Sequence, residues 1–418
     1  MKLLVKNVLP INGDGKTLCD IAITDGIIEA IGGAPEGFTP DETVEGGGRL
    51  CMPALVNAHT HMYMSVLRGA ADDLPFMQWL FEGVMPRENK MNADQAYWGS
   101  LLSCVEMIRR GCCAFNDMHL FPGAAARAAQ DIGMRAVVNR AVTGPDGGER
   151  RIKEMLDEIN EFKGCRNVYF MIAPHAIYTC SQEYLMRLAD IAEELGLPVH
   201  IHLSESVAEM NDCLRDHGCT PVEYLVKMGF FKNKTLAAHC VQLTETDILL
   251  LAEHGVSVVT NPKSNLKLGN GIAPVHQLDK AGVNVCIGTD SAASNNSLNM
   301  FAELNYTALL HKGTNGDPTV IPARKAFEMA TVNGAKALCI DGLGRLEEGW
   351  KADLALLDTD VPQMMPLRDL YAAVVYSCDG SETDTVIIDG KPVYLHREFT
   401  TIDTEELYYN IKKIAEVI

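Results

Sequence analysis

The stretch NAHTHMYMS, residues 57–65, sets His59 and His61 one residue apart just past a short apolar run. On a β-strand, residues i and i+2 face the same way, so both imidazoles would project together. Such a pair can grip a metal ion or simply be solvated. The other ligand-type residues decide between these readings. His175 stands in APHAIYT, His200, His202 and Glu205 in VHIHLSES, His239 in AAHC and Asp290 in IGTDS. Each of these segments closes a β-rich apolar run. His217, His254 and His311 fall in helical or loop patterns instead. Three imidazoles and a carboxylate suit a borderline divalent cation with one position left open for water. His59, His61, His202 and Asp290 fit as its ligands. His200 shares the face of His202 but lies deeper, so a hydrogen-bonded core histidine and a site role both stay open. The fourth apolar run, NVYFMIA, has no Lys or Glu that could bridge two ions, which favours a single one.

The elements that must position these residues follow from the same runs. ALVNA, CCAFND, MRAVVNR, NVYFMIA, PVHIHL, TLAAH, VSVVTN and VNVCIG alternate with helical patterns from about residue 54. Strands apolar throughout and interleaved with helices predict a parallel sheet covered on both faces. Eight such units predict an α/β fold, a closed (β/α)8 TIM-like barrel, whose chemistry sits at the C-terminal ends of its strands. Helices are expected over Asn92–Arg110, with Asn92 capping and Gly111 stopping it, over Gln182–Leu195 and over Glu245–His254. The two ends read differently. Asp25-Gly26 and Asp389-Gly390 lie between apolar runs and signal tight hairpins. Residues 1–53 and 345–400 are expected to pair into one small β-sandwich domain beside a 54–344 barrel, with a C-terminal helix over 401–418.

Composition narrows the partners. Acidic residues outnumber basic ones by 55 to 36, for a formal net charge of −19, which repels phosphate backbones and anionic lipids. Nucleic acid and membranes are therefore not expected as partners, and a small-molecule substrate is. The N-terminus is too short in apolar residues for a signal-peptide core, and no run could span a bilayer, so a cytoplasmic protein is expected. The 13 cysteines agree: no CxxC spacing occurs among them, and they sit mostly in apolar runs such as LLSCVEMI.

These motifs resemble the amidohydrolase superfamily over almost the whole chain. HTH after an apolar strand, HIHLSE, a strand-end His and GTDS resemble its single-metal deaminase branch. Within that branch, PALVNAHTHMYMSVLRGAADDLPFMQWL, PHAIYTCS and GTDSAASNN resemble the 5-methylthioadenosine/S-adenosylhomocysteine deaminases. One departure is Ser291, where that family usually has Gly. The resemblance implies one divalent ion, Zn2+ first with Fe2+ and Mn2+ as alternatives. It also implies a mechanism in which Asp290 accepts the water proton, His239 orients the nucleophile and Glu205 protonates the ring nitrogen. Against these roles stand a helix-capping acid at Glu205 and a core histidine at His239. Carried over from the family, Glu88 in MPRENK would bind ribose hydroxyls, His175 the purine and Arg140 the polar tail or ribose side. A second arginine is expected nearby, Arg150 or Arg151. Trp79 and His119 read as rim or core residues with a site role as the alternative.

The expectation is therefore a metal-dependent hydrolytic deaminase of adenine nucleosides, giving the inosine analogue and ammonia. Methylthioadenosine and S-adenosylhomocysteine lead, with adenosine and 5'-deoxyadenosine behind them, and a homo-oligomer is compatible. The competing readings are the same scaffold acting on guanine or a triazine, and a non-catalytic scaffold on this fold. An H-x-E with P-C-x-x-C zinc deaminase is excluded by the absence of CxxC.

Overall fold

Runs that are apolar at every position need cover on both faces, and this chain supplies it with helices. The computed structural model describes residues 1–144 and 148–418. Five strands come first: β1 (Lys2–Pro10), β2 (Cys19–Thr24), β3 (Ile27–Ile31), β4 (Glu42–Glu45) and β5 (Leu50–Pro53). The barrel strands follow as β6 (Leu55–Thr60), β7 (Cys112–His119), β8 (Arg135–Val142), β9 (Val168–Tyr169), β10 (Ala173–Pro174) and β11 (Val199–Leu203). β12 (Thr235–His239), β13 (Ser257–Thr260) and β14 (Asn284–Ile287) complete them. The chain ends with β15 (Leu354–Leu357), β16 (Thr383–Ile388), β17 (Lys391–Leu395), β18 (Glu398–Phe399) and a helix over Thr404–Ala415.

The barrel strands pair in parallel as β10-β8-β7-β6, with β9 also on β8, and as β11-β12-β13-β14. Parallel bridges Ile172–Val199 and Ala176–His202 join the two arcs on one side. On the other side the Thr289 and Asp290 amides donate to the His59 carbonyl at 3.2 and 3.0 Å. Gly288 permits that closure, because a Cβ there would stand 2.7–2.8 Å from the His59 backbone. The fourth strand, expected to be continuous, is split into β9 and β10. The Met171 amide donates to the Asn139 side chain at 2.6 Å, and Pro174 has no N–H to give.

The expected helices form where their caps lie. Ala93–Ile108 starts at Asn92, whose side chain accepts from the Gln95 amide in a capping box, and Gly111 follows it at φ 69°. Gln182–Leu195 ends on the left-handed Gly196, and Glu245–Glu253 stops just before Gly255.

Beside the barrel, one sheet runs β18-β17-β16-β15-β5-β1-β2-β3, with β4 on β1, so both chain ends build it. Asp25 and Gly26 turn β2 into β3 with φ of 52° and 84°, and Asp389 and Gly390 turn β16 into β17 with 54° and 71°. β15 serves two cores by simple alternation. Leu354 and Leu356 pack with Leu3, Val5 and Ile21, while Ala355 and Leu357 pack with the barrel residues. A buried ion pair adds to that seam: the Arg135 Nε and Nη2 donate to the two Asp353 oxygens at 2.9 and 2.8 Å. Among the described residues, no helix is long and apolar enough to cross a membrane.

Candidate active site

Because strand side chains alternate, His59 at the end of β6 and His61 just past it turn to one side, as do His200 and His202 on β11. The structure brings these together with His239 and Asp290 at the C-terminal ends of β12 and β14. Single ligand atoms of His59, His61 and His202 all lie within 4.8 Å of one another, as do those of His59, His239 and Asp290. Asp290 Oδ1 is 3.2 Å from His61 Nε2 and 3.6 Å from His59 Nε2. All of these residues except His61 are buried, and His61 is nearly so.

Neighbours orient each ring. His61 Nδ1 lies 2.7 Å from the Met118 carbonyl and His202 Nδ1 3.0 Å from the His175 carbonyl. Donation to those carbonyls leaves both Nε2 lone pairs facing the cluster. His59 Nε2 is fully buried and has no hydrogen-bond partner among the described residues. Burial drives the His59 imidazole down to about 3, against the pull of Asp290, and sends His202 well below its usual value. His61 is the exception, pushed up to about 9 by the Asp290 carboxylate against its burial. Converging imidazoles, an unpartnered buried nitrogen and a carboxylate fit a divalent cation, which would take that charge's place beside Asp290. Burial would raise Asp290, yet the His59 and His61 rings facing it hold it well below the carboxylate range. Its other oxygen, Oδ2, accepts from Ser264 Oγ at 2.5 Å and Ser294 Oγ at 2.9 Å. Ser291, the departure from the family pattern, caps the short Ala292–Asn295 helix and donates to Ser294. It therefore supports the hydroxyl that supports Asp290.

His200 takes the deeper place. Its Nε2 lies 3.1 Å from His59 Nδ1 and its Nδ1 3.2 Å from the Asn116 amide nitrogen. It buttresses a ligand from behind and takes no place in the cluster.

Glu205 follows a backbone kink at Ser204, φ 52°. Glu209 clamps that kink, accepting from the Ser204 and Glu205 amides at 3.0 and 2.8 Å. Ser206, not Glu205, caps the following helix. Glu205 Oε1 accepts from Asn270 at 3.0 Å, and Oε2 lies 3.8 Å from His239 Nε2. Burial, reinforced by the Asp290 charge, raises its carboxyl above the usual range. A buried carboxyl raised above its usual range, beside a ring nitrogen, is equipped for acid–base work. His239 has φ 74°, a strained value for a non-glycine, and its Nδ1 lies 2.8 Å from Asn265 Oδ1.

The remaining expected residues divide. His175 stacks obliquely on His202, ring centroids 4.7 Å apart. Glu88, on the Met85–Glu88 helix, reaches back to Tyr63 Oη at 2.7 Å and His119 Nε2 at 2.8 Å. Burial alone would raise Glu88, but the His119 imidazole beside it and the Tyr63 hydrogen bond hold it at about 2. Trp79 is buried, with its indole N–H unpartnered. Arg140 is not brought to the cluster. Its β8 neighbour Asn139 turns inward to Asn116, so Arg140 turns out toward the Gly148–Phe162 helix. There Nε and Nη2 bind both Glu158 oxygens at 2.8 Å, and Nη1 meets Glu154 at 3.2 Å. Arg150 pairs with Glu154 at the surface, and Arg151 donates to the Thr143 carbonyl at 2.8 Å. Pro145–Gly147 of that loop lie outside the described residues. A cavity of about 600 Å3 lined by Ala129, Met134, Arg166 and Asp389 contains none of the site residues.

Ser264, Asn265 and Asn270 were missed from sequence. Their signal was the polar run NPKSNLKLGN directly after an apolar strand.

The amidohydrolase family profile matches residues 50–393. The chain belongs to the amidohydrolase family. A relative from Moorella thermoacetica named 5-methylthioadenosine/S-adenosylhomocysteine deaminase is 44% identical, covering 99% of this chain and 98% of its own. A 5'-deoxyadenosine deaminase from Methanocaldococcus jannaschii is 40% identical over 100% of this chain and 99% of its own. The crystal structure of an adenosine deaminase from Xanthomonas campestris with bound zinc superposes with a TM-score of 0.93. It is 33% identical and covers 99% of this chain and 97% of that one.

Proposed function

We propose that this chain is a metal-dependent hydrolase that deaminates adenine nucleosides. Its substrates are 5'-methylthioadenosine, S-adenosylhomocysteine and 5'-deoxyadenosine, and its products are the inosine analogue and ammonia. The observation that carries the chemistry is the convergence of His59, His61, His202 and Asp290 beside a buried Glu205 whose carboxyl is raised above its usual range. The substrate class is supported by relatives that match the chain from end to end.

His59, His61, His202 and Asp290 would hold one divalent cation, zinc in the leading assignment. Bound there, such an ion lowers the pKa of water toward neutrality and polarises it for attack. Asp290 takes the proton of the attacking water, its Oδ2 kept in place by Ser264 and Ser294. His239 orients that water, and Glu205 delivers a proton to the ring nitrogen as the carbon becomes tetrahedral. Collapse passes the proton held by Asp290 to the departing amine, which leaves as ammonia, and the remaining hydroxyl proton restores Glu205 as the carbonyl forms. Glu88 accepts ribose hydroxyls, and His175 lies against the purine. We place the reaction in the 54–344 barrel, with 1–53 and 345–400 as a composite β-sandwich and 401–418 as a closing helix. The 13 free thiols suit the cytoplasm.

The test is ammonia release by the purified protein, stripped with a chelator and reloaded with zinc, across adenine nucleosides, guanine and chloro-triazines. Activity should return at about one ion per chain and favour the adenine nucleosides. Activity confined to guanine or a triazine would overturn the assignment.

A further inference from the structure

The ribose-side acid is held by a device that the expected chemistry does not require. Glu88 Oε1 takes the Tyr63 hydroxyl at 2.7 Å, and the same oxygen has His119 Nε2 at 2.8 Å, with the ring N–H aimed off the direct line. Among the described residues no donor reaches Oε2. The two donors brace each other: Tyr63 and His119 stack with ring centroids 3.7 Å apart and planes 21° apart. Phe121 closes the edge of Tyr63 at 5.6 Å. Tyr63 is fully buried and His119 nearly so, whereas the Glu88 side chain keeps 12% exposure. Glu88 itself sits on a single helical turn after a Gly83-containing segment, a mounting that would not by itself fix a side chain.

We propose that His119 and Tyr63 are positioning residues that pin one oxygen of Glu88 and turn the other toward the substrate's vicinal hydroxyls. This rests on the reading of the chain as a nucleoside deaminase with Glu88 at the ribose. A carboxylate has about four lone-pair sites on two oxygens. Oε1 accepts the Tyr63 hydroxyl and faces the His119 ring 2.8 Å away in a dry, stacked pair, so Oε2 is the acceptor left for ligand. Hydroxyl recognition then belongs to three residues from three elements: the Met62–Leu67 turn, the end of β7 and the Met85–Glu88 turn. Preorganisation of this kind lets a site reject a ligand that lacks the hydroxyls, because the aimed oxygen is left without a donor.

The experiment compares kcat/KM for 5'-methylthioadenosine and its 2',3'-dideoxy counterpart in the zinc-loaded enzyme and in His119→Leu, His119→Gln and Tyr63→Phe. His119→Leu and Tyr63→Phe should each lower kcat/KM for the hydroxyl-bearing substrate on the order of tenfold, chiefly through KM. The dideoxy substrate should change by less than about twofold, so the preference itself collapses. His119→Gln, which keeps an N–H donor, should retain most of the preference. Tyr63→Phe removes one hydroxyl and keeps the ring, so the comparison stands even where His119→Leu fails to fold. A parallel loss on both substrates, or an unchanged preference in both variants, would overturn the inference and leave the deaminase reading intact. An unmodified enzyme that deaminates neither nucleoside would overturn the deaminase reading itself.

Discussion

Glu205→Gln is the perturbation that separates proton delivery from every other contribution of the site. Glutamine keeps the volume, and its carbonyl can still accept the Asn270 bond that Glu205 Oε1 accepts at 3.0 Å. The Glu209 clamp on the Ser204 and Glu205 amides is untouched, because it acts on backbone. The cation ligands are untouched as well, since Glu205 lies beyond His202 and faces His239 Nε2 at 3.8 Å. What is lost is a carboxyl whose burial raises it above the usual range, the group positioned to give up a proton. Loss of a positioned acid is worth about 10²–10⁴ in rate. At about 1.36 kcal/mol per tenfold, that is ~3–5 kcal/mol of transition-state stabilisation. Steady-state deamination, paired with metal analysis on the same preparation, reads the effect. The expected result is a full complement of metal, a KM within a few-fold and kcat reduced by about 10² or more. A variant with near-normal kcat and full metal would refute the assignment of Glu205 as the acid.

Other outcomes follow from the same geometry. His202→Ala should lose metal and activity together, read by elemental analysis and ammonia release, because His202 supplies one of the converging imidazoles. Asp353→Asn leaves the Arg135 guanidinium, 2% exposed, without its bidentate partner. Breaking such a buried pair costs about 3–5 kcal/mol. Spread over 418 residues at about 2.1 cal/mol/K each, this is a drop in Tm of ~3–6 °C by calorimetry, with site chemistry retained. Arg140→Ala should lower kcat/KM for S-adenosylhomocysteine and methylthioadenosine alike, since Glu154 and Glu158 already occupy the guanidinium. A loss confined to S-adenosylhomocysteine would show that Arg140 meets its carboxylate.

What could be read from sequence followed rules of local period. Apolar runs of five to seven residues marked the barrel strands, and the i, i+2 spacing of His59 with His61 and of His200 with His202 showed which rings share a face. The hairpins at Asp25-Gly26 and Asp389-Gly390 were legible because only a few residues tolerate positive φ at both turn positions. The split of the fourth strand was not legible, because it depends on Asn139 of another strand capturing the Met171 amide. The placement of Arg140 was not legible for a similar reason. Its residue type suits a carboxylate tail, but its partners are Glu154 and Glu158 of this chain, and strand alternation turns it outward. The sharing of Glu88 between Tyr63 and His119 joins positions 25 and 31 residues apart, a proximity no sequence period encodes.

The central claim is that this amidohydrolase recognises a nucleoside and not a bare ring. The direct measurement is kcat/KM for 5'-methylthioadenosine and for free adenine in the same zinc-loaded preparation, read by ammonia release. With Glu88 contributing charge-assisted hydrogen bonds of about 1.5–3 kcal/mol, the nucleoside should be favoured by at least about tenfold. Equal values for nucleoside and adenine would contradict the account.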